Sequence, residues 1–461
     1  MSDATNLSGK TPRLRAPRGL GELLSLAWPV IMSRLGIMTM GLTDAIVVGR
    51  YSAEELGFHA LAWAPTSIVL TTAVGLLMGV QVMTARHLGE GRPEATGGVL
   101  RRGLVYAFWI GVVSVLLLAF AGPPFLGLSV FGIEPGLATG AGGALRIFAL
   151  SLPLYLFAVV GQFFLEALSR PKASMIAIWV ANGVNLAVNL WLVPGDSGLP
   201  VAGAVASAWA TFAARGALVV FLVVYILRMA DVRALGLFNK PIDGPEAARE
   251  QFGVGLGSGV SYFIEVGAFA AMTFIAAQLG AVPVAAWAVV LNIAAIIFMG
   301  PLGLSAATGV LVGRAYGAGD RAGVVRAGML GLGVAAVMML LVCAVVGLWA
   351  RPISAFYSHD AALLALAVPA LYLSCLFFLA DGLQVVAAQA LRARSDVLLP
   401  TVCHFISYGL IMLPLGWVFA HPVGLGVDGI IWSVIVASLV SALLLTGRFL
   451  QLAGRPLSAS D

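Results

Sequence analysis

Twelve stretches of this chain stay apolar for about 20 residues or more, the length a helix needs to cross the roughly 30 Å of a bilayer's hydrocarbon. They fall at about 23–49, 60–85, 99–121, 140–164, 173–193, 203–227, 252–278, 284–312, 326–349, 363–389, 397–419 and 428–450. The fold class this predicts is an all-α integral membrane protein with twelve transmembrane helices. A long polar stretch divides the spans six and six. The expected organisation is therefore a cytoplasmic N-terminal tail (1–22), an N-lobe of six helices (23–227), a cytoplasmic inter-lobe loop (228–251), a C-lobe of six helices (252–450) and a cytoplasmic tail (451–461).

Composition excludes a soluble domain: 60% of residues are hydrophobic and 10% charged, where soluble domains carry about 25% charged. The 55 glycines lie inside the apolar runs, as suits helices that must approach closely in lipid, and do not mark a disordered chain. The formal charge of +5 is no sign of nucleic-acid binding. With the N-terminus inside, 21 of the 26 Lys and Arg residues fall on inner segments and only Arg50 and Arg351 on outer ones. That asymmetry is the positive-inside pattern, and it predicts a multi-pass protein of a bacterial inner membrane, both termini cytoplasmic and in contact with lipid. Residues 1–19 lack an apolar core and do not read as a cleavable signal peptide. Cys343, Cys375 and Cys403 sit in apolar runs without a CxxC pair, and the five histidines have no ligand-like spacing. Neither a disulfide nor a metal site is expected.

The halves resemble each other. Residues 75–92 align without gaps on 303–320, an offset of 228, which sets Arg86, Gly89 and Gly91 on Arg314, Gly317 and Gly319. Each copy ends the second span of its half. The R-x-x-G-x-G pattern reads as an interfacial Arg anchoring the helix, followed by Gly releasing the chain into a turn. Six spans per half is an even number, so the repeat is parallel, about an axis along the membrane normal, with a cleft between the halves.

Ionisable side chains at mid-membrane cost about 2.5–3.5 kcal/mol each on insertion scales, so each needs a reason. Glu265 lies 16 residues beyond Arg249, roughly 24 Å of helix, and Asp381 lies 11 residues before Arg392, roughly 16 Å, so both reach mid-membrane depth in the second half. Two close carboxylates in low dielectric do not both ionise cheaply; they would hold a proton, a Na⁺, or each in turn. The bland alternative pairs each with a structural donor. In the first half Asp44 ends the first span, and Asn182, Asn185 and Asn189 share one face of the fifth. Asn185 and Asn189 reach the depth of Asp44, as a relay for a proton or cation or simply as residues knitting helices together. Arg34 and Arg215 lie deep in their spans, either anchoring a carboxylate or snorkelling, and Glu166 reads as an interfacial charge or a gate. Phe263, Phe269, Met272, Phe274, Phe298, Met299, Phe377 and Phe378 flank the second-half acids. Of these Phe377 and Met299 are the candidates for lining a cavity for flat organic cations, most such side chains being packing surface.

Across nearly its whole length the chain resembles the multidrug and toxin extrusion (MATE) family, in its NorM-like bacterial branch. The resemblance rests on LAWPVIMSRLGIMTMGLTDAIVVGR in the first span, FFLEALSRPKAS leading into VNLAVNLW, YFIEVGAFA in the seventh, and ADGLQVVAAQALRARSD with FISYGLIMLPLGW near the end. It implies two six-helix bundles in a V, and a monomer exporting small organic cations and drugs by H⁺- or Na⁺-driven antiport without a cofactor. It also implies that Glu265 and Asp381 form the second-lobe cation site, and that Asp44 with Asn185 and Asn189 forms the first-lobe one. The tyrosine common in the family four residues before the second-lobe aspartate is Phe377 here, which removes an oxygen ligand for Na⁺ and leaves the driving ion open. A flippase for a lipid-linked precursor is the competing reading; twelve spans and acidic sites, rather than a basic cavity, speak against it. No catalytic dyad or HExxH pair suggests an enzyme.

Overall fold

A computed structural model describes residues 19–126, 135–239 and 242–453. It contains twelve helices able to cross a membrane: α1 (Leu20–Tyr51), α2 (Ala53–Gly89), α3 (Pro93–Pro124), α4 (Gly136–Ala167), α5 (Pro171–Leu192), α6 (Gly203–Leu227), α7 (Pro245–Gln278), α8 (Ala281–Gly317), α9 (Arg321–Ala355), α10 (Ala361–Ala393), α11 (Leu398–Ala420) and α12 (Gly426–Ala453). The tail segments 1–18 and 454–461, with Lys10, Arg13, Arg15, Arg18 and Arg455, lie outside the described residues, as does Lys240.

Most helices outrun the apolar stretch that announced them, because the backbone goes on satisfying itself after the side chains turn polar. The 228–251 loop is the clearest case: Pro245, at the first helical position of α7, starts that helix before the apolar run. Asp320 caps α9 by accepting from the Gly323 N–H at 2.8 Å, and Asp360 caps α10 by accepting from the Ala362 and Leu363 N–H groups. Four helices depart from regular winding. α2 breaks at Leu77–Met78, α3 is wound as a π-helix from Leu116 to Ala121, α9 kinks at Trp349, and α11 is wound as a π-helix from Phe405 to Met412. Such turns shift the register of side chains and recur at functional sites.

The two halves meet along matched surfaces. A methyl group on Gly75 would stand 2.7 Å from Gly259 Cα, and one on Gly303 would stand 2.7 Å from the Ile31 backbone nitrogen. Gly303 lies 228 residues beyond Gly75 and Ile31 lies 228 before Gly259, so the two contacts are one contact with the halves exchanged. The same holds at the helix ends. Gly89 abuts the Arg314 carbonyl and Gly317 the Arg86 carbonyl, where a methyl would come within 2.8 and 3.0 Å of the carbonyl carbons. The beginnings of the lead helices cross over as well. Leu23, Leu26 and Ala27 of α1 pack into the second half's core with Leu304 and Leu311. Gln251, the counterpart of Leu23 in α7, donates to the Val99 carbonyl of α3 at 3.0 Å and accepts from Arg102 at 2.8 Å. The sequence repeat is thus a pseudo-twofold interface.

Candidate functional site

Asp44 is 3% exposed and receives three neutral donors. Its Oδ1 accepts from Asn185 Nδ2 at 2.9 Å and Asn189 Nδ2 at 2.7 Å, and its Oδ2 from the Thr211 hydroxyl at 2.7 Å. Asn185 and Asn189 are one turn apart on α5, so their amides stack along α1 beside one carboxylate. Asn182 behaves differently: it donates to the Gly36 carbonyl at 2.9 Å and ties α5 to α1. Arg215, one turn below Thr211, donates to the Ser151 hydroxyl at 2.7 Å and lies over the Tyr155 ring at 5.0 Å. It is buried, not snorkelling.

In the second half Glu265 and Asp381 come together on a single side chain. The Gln384 amide nitrogen donates to Glu265 Oε1 at 3.3 Å and to Asp381 Oδ1 at 3.2 Å. The amide oxygen accepts from His404 Nε2 at 2.9 Å and the Ser441 hydroxyl at 3.4 Å. Gln384 and Ser441 are fully buried, and the two acids only partly so. The π-wound stretch of α11 carries Tyr408 over His404, ring centroids 5.7 Å apart. One proton or small cation can be shared by such a pair; two bare charges in low dielectric repel strongly.

Phe377 is 2% exposed and stacks edge-on against Phe378, centroids 4.7 Å apart, within the second half's core. Met299 is partly buried on α8, and among the described residues no hydrogen bond or ring contact brings it to the acids. Sequence reasoning missed Gln384, His404, Tyr408 and Thr211. Gln384 was within reach, one helical turn past Asp381. Thr211 joins Asp44, and His404 joins Gln384, only through tertiary packing, and nothing local marks them.

Two sequence expectations change. Glu166 is not an interfacial charge: it is 3% exposed and pairs with Arg34 at 3.1 Å, while Gln81 donates to it at 2.7 Å. Gln81 in turn accepts from Gln389 of the second half at 3.1 Å, so this buried network crosses between the lobes. Nor are Arg86 and Arg314 free interfacial anchors. Arg86 is 8% exposed, pairs with Glu250 and Ser395, and sits over the Tyr316 ring at 4.9 Å, while Arg314 donates to the Ala167 carbonyl. Among the described residues these inter-lobe bonds all lie toward the Arg-rich end of the helices. The clasp closes that end of the cleft.

Comparison with known proteins gives a consistent set of likenesses. The MatE family model matches residues 29–191 and 258–418, one match in each half. A probable multidrug resistance protein NorM of Caulobacter vibrioides is 52% identical over 99% of this chain and 97% of its own length. Another so described, from Aromatoleum aromaticum, is 31% identical over 88% and 87%. The crystal structure of the eukaryotic MATE transporter AtDTX14 superposes with a TM-score of 0.84 at 18% identity, covering 95% of this chain and 98% of that one.

Proposed function

The chain belongs to the MatE family, and from that premise we propose that it is a cation-coupled antiporter exporting organic cations and drugs by alternating access. It is a multi-pass protein of the bacterial inner membrane, and the charge asymmetry supports placing both termini, and the clasped end of the cleft, in the cytoplasm. The observation that carries the reading is the junction of Glu265 and Asp381 on Gln384. An acid pair partly open to its surroundings attracts a cationic drug, and a coupling cation entering from outside competes for the same charge. Asp44, held by three neutral donors, provides a second place for that ion. With both sites neutralised, the lobes rock and the clasp parts.

The test is uptake of ethidium into proteoliposomes energised by combined H⁺ and Na⁺ gradients. Asp381→Asn and Glu265→Gln each remove one ionisable group with little change of shape and are expected to lower gradient-driven transport at least tenfold while passive leak is unchanged. Gradient-driven transport equal to wild type in both variants sinks the reading.

A further inference from the structure

The Gln384 amide is held from both sides. An amide has an acceptor end and a donor end, and ionised carboxylates only accept. The donor end therefore faces Glu265 and Asp381, and the oxygen faces the imidazole of His404 and the Ser441 hydroxyl. Four helices, α7, α10, α11 and α12, converge on this one buried side chain.

We propose that Gln384 is a positioning residue that makes H⁺, not Na⁺, the coupling ion at the second-half acid pair. The inference rests on the reading that this pair carries the coupling ion. A hard cation such as Na⁺ must exchange its hydration shell for several oxygens. Between these carboxylates the amide presents N–H groups instead. Phe377, packed on Phe378 one turn before Asp381, supplies no oxygen. Tyr408, packed against His404, offers one; the amide oxygen, which would be another, is turned away. Bringing that oxygen round requires the amide to rotate half a turn and its NH₂ to meet His404 Nε2. The imidazole must then become an acceptor there, its proton moving to Nδ1. Two side chains must change together before Na⁺ gains one ligand. A proton requires neither change. It binds a carboxylate oxygen that the amide does not engage, Glu265 Oε2 or Asp381 Oδ2, and the fork stays in place.

The other titratable or charged groups near the amide are Tyr262 of α7 and Arg392 of α10, the guanidinium 5.5 Å over the Tyr262 ring. From α12 come the neutral Ser438 and Ser441, and α8 carries no charged residue from Ala281 to Gly313.

The experiment measures ethidium transport in proteoliposomes under a pH gradient without Na⁺, and separately under a Na⁺ gradient at uniform pH, with the membrane potential clamped to zero. In the wild type the pH gradient is expected to drive transport at least tenfold faster than the Na⁺ gradient. The double variant His404→Phe with Ser441→Ala releases the amide oxygen, and its Na⁺-driven rate is expected to rise at least tenfold over wild type. Gln384→Leu removes donor and acceptor together and is expected to gain no Na⁺ response, which separates amide orientation from mere loosening of the site. Wild-type transport driven by Na⁺ alone overturns the proposal, as does a double variant no more responsive to Na⁺ than Gln384→Leu. The wild-type arm stands by itself where a variant cannot be purified as a monodisperse protein. Wild-type transport driven by neither gradient removes the cation-coupling reading, and this proposal with it.

Discussion

Placing a single methyl group on Gly89 or Gly317 should open the clasped end of the cleft. A Cβ on Gly89 would lie 2.8 Å from the Arg314 carbonyl carbon and closer still to its oxygen, and one on Gly317 would lie 3.0 Å from the Arg86 carbonyl carbon. Ordinary van der Waals contact begins near 3.4 Å. The obstacle in each case is main chain inside a helix, which cannot swing aside as a side chain can. The strain must therefore be relieved by moving one lobe from the other or be retained as overpacking worth about 1–3 kcal/mol. That strain exists only while the clasp is closed, so it displaces the closed-to-open equilibrium about 5- to 150-fold. Spin labels on the exposed Glu90 and Ala318 flank the contact, and double electron–electron resonance between them reads the displacement. Gly89→Ala and Gly317→Ala should each shift population toward longer distances, by similar amounts because the two contacts are pseudosymmetric. Gly333→Ala, where a methyl meets nothing within 4 Å, should leave the distribution alone. Distributions for both clasp variants that coincide with that control would refute the reasoning.

Two further outcomes are expected. Arg34→Ala leaves Glu166 buried without its cation and should cost about 3–5 kcal/mol, read as a fall in the thermal unfolding midpoint in detergent, with Arg34→Ala plus Glu166→Gln recovering much of the loss. At the clasped end, the hydrogen bond from His87 holds the Glu90 carboxyl below its ordinary value of 4.5, with Arg92 and Arg86 helping. A depressed carboxyl contributes stability that is complete above the unfolded-state value and is lost as pH falls through the folded one. Hydrogen exchange in the segment 242–250, which Asp243 joins to His87 and Arg92, should therefore accelerate below about pH 4.5 in the wild type. In Glu90→Gln that acid-dependent part should be missing, and an equal acceleration in the variant would assign it elsewhere.

Span count, the repeat and the acids were legible because each is a local property of the chain. A 20-residue apolar run needs no partner to be recognised, and Glu265 stands out by having no other charged residue within about a dozen positions either way. Partnerships were not legible. Arg34 and Glu166 are 132 residues apart and Gln384 and His404 are 20 apart, and nothing in either member's local pattern names the other. The R-x-x-G pattern was seen but taken for a turn signal, since the carbonyl that each glycine must admit belongs to the other half of the molecule.

The offset that matches the clasp glycines also shows where the halves have parted. Gly259 meets Gly75 as its counterpart Ile31 meets Gly303, so the register that equates α7 with α1 is fixed by geometry. In that register Glu265 falls on Ile37 and Asp44 on Met272. Each lead helix carries one acid away from its ends, and the counterpart position in the other lead helix is apolar. The two levels are seven residues apart, two turns or roughly 10 Å of helix. Symmetry has been kept where the lobes must close on one another, because a change on one side of a reciprocal contact strains both. It has been given up at the charges, which stand at one level in α1 and at another in α7. On the proposed antiport reading, ions entering the two halves meet their sites at different depths, and rocking of the lobes is gated by two occupancies instead of one.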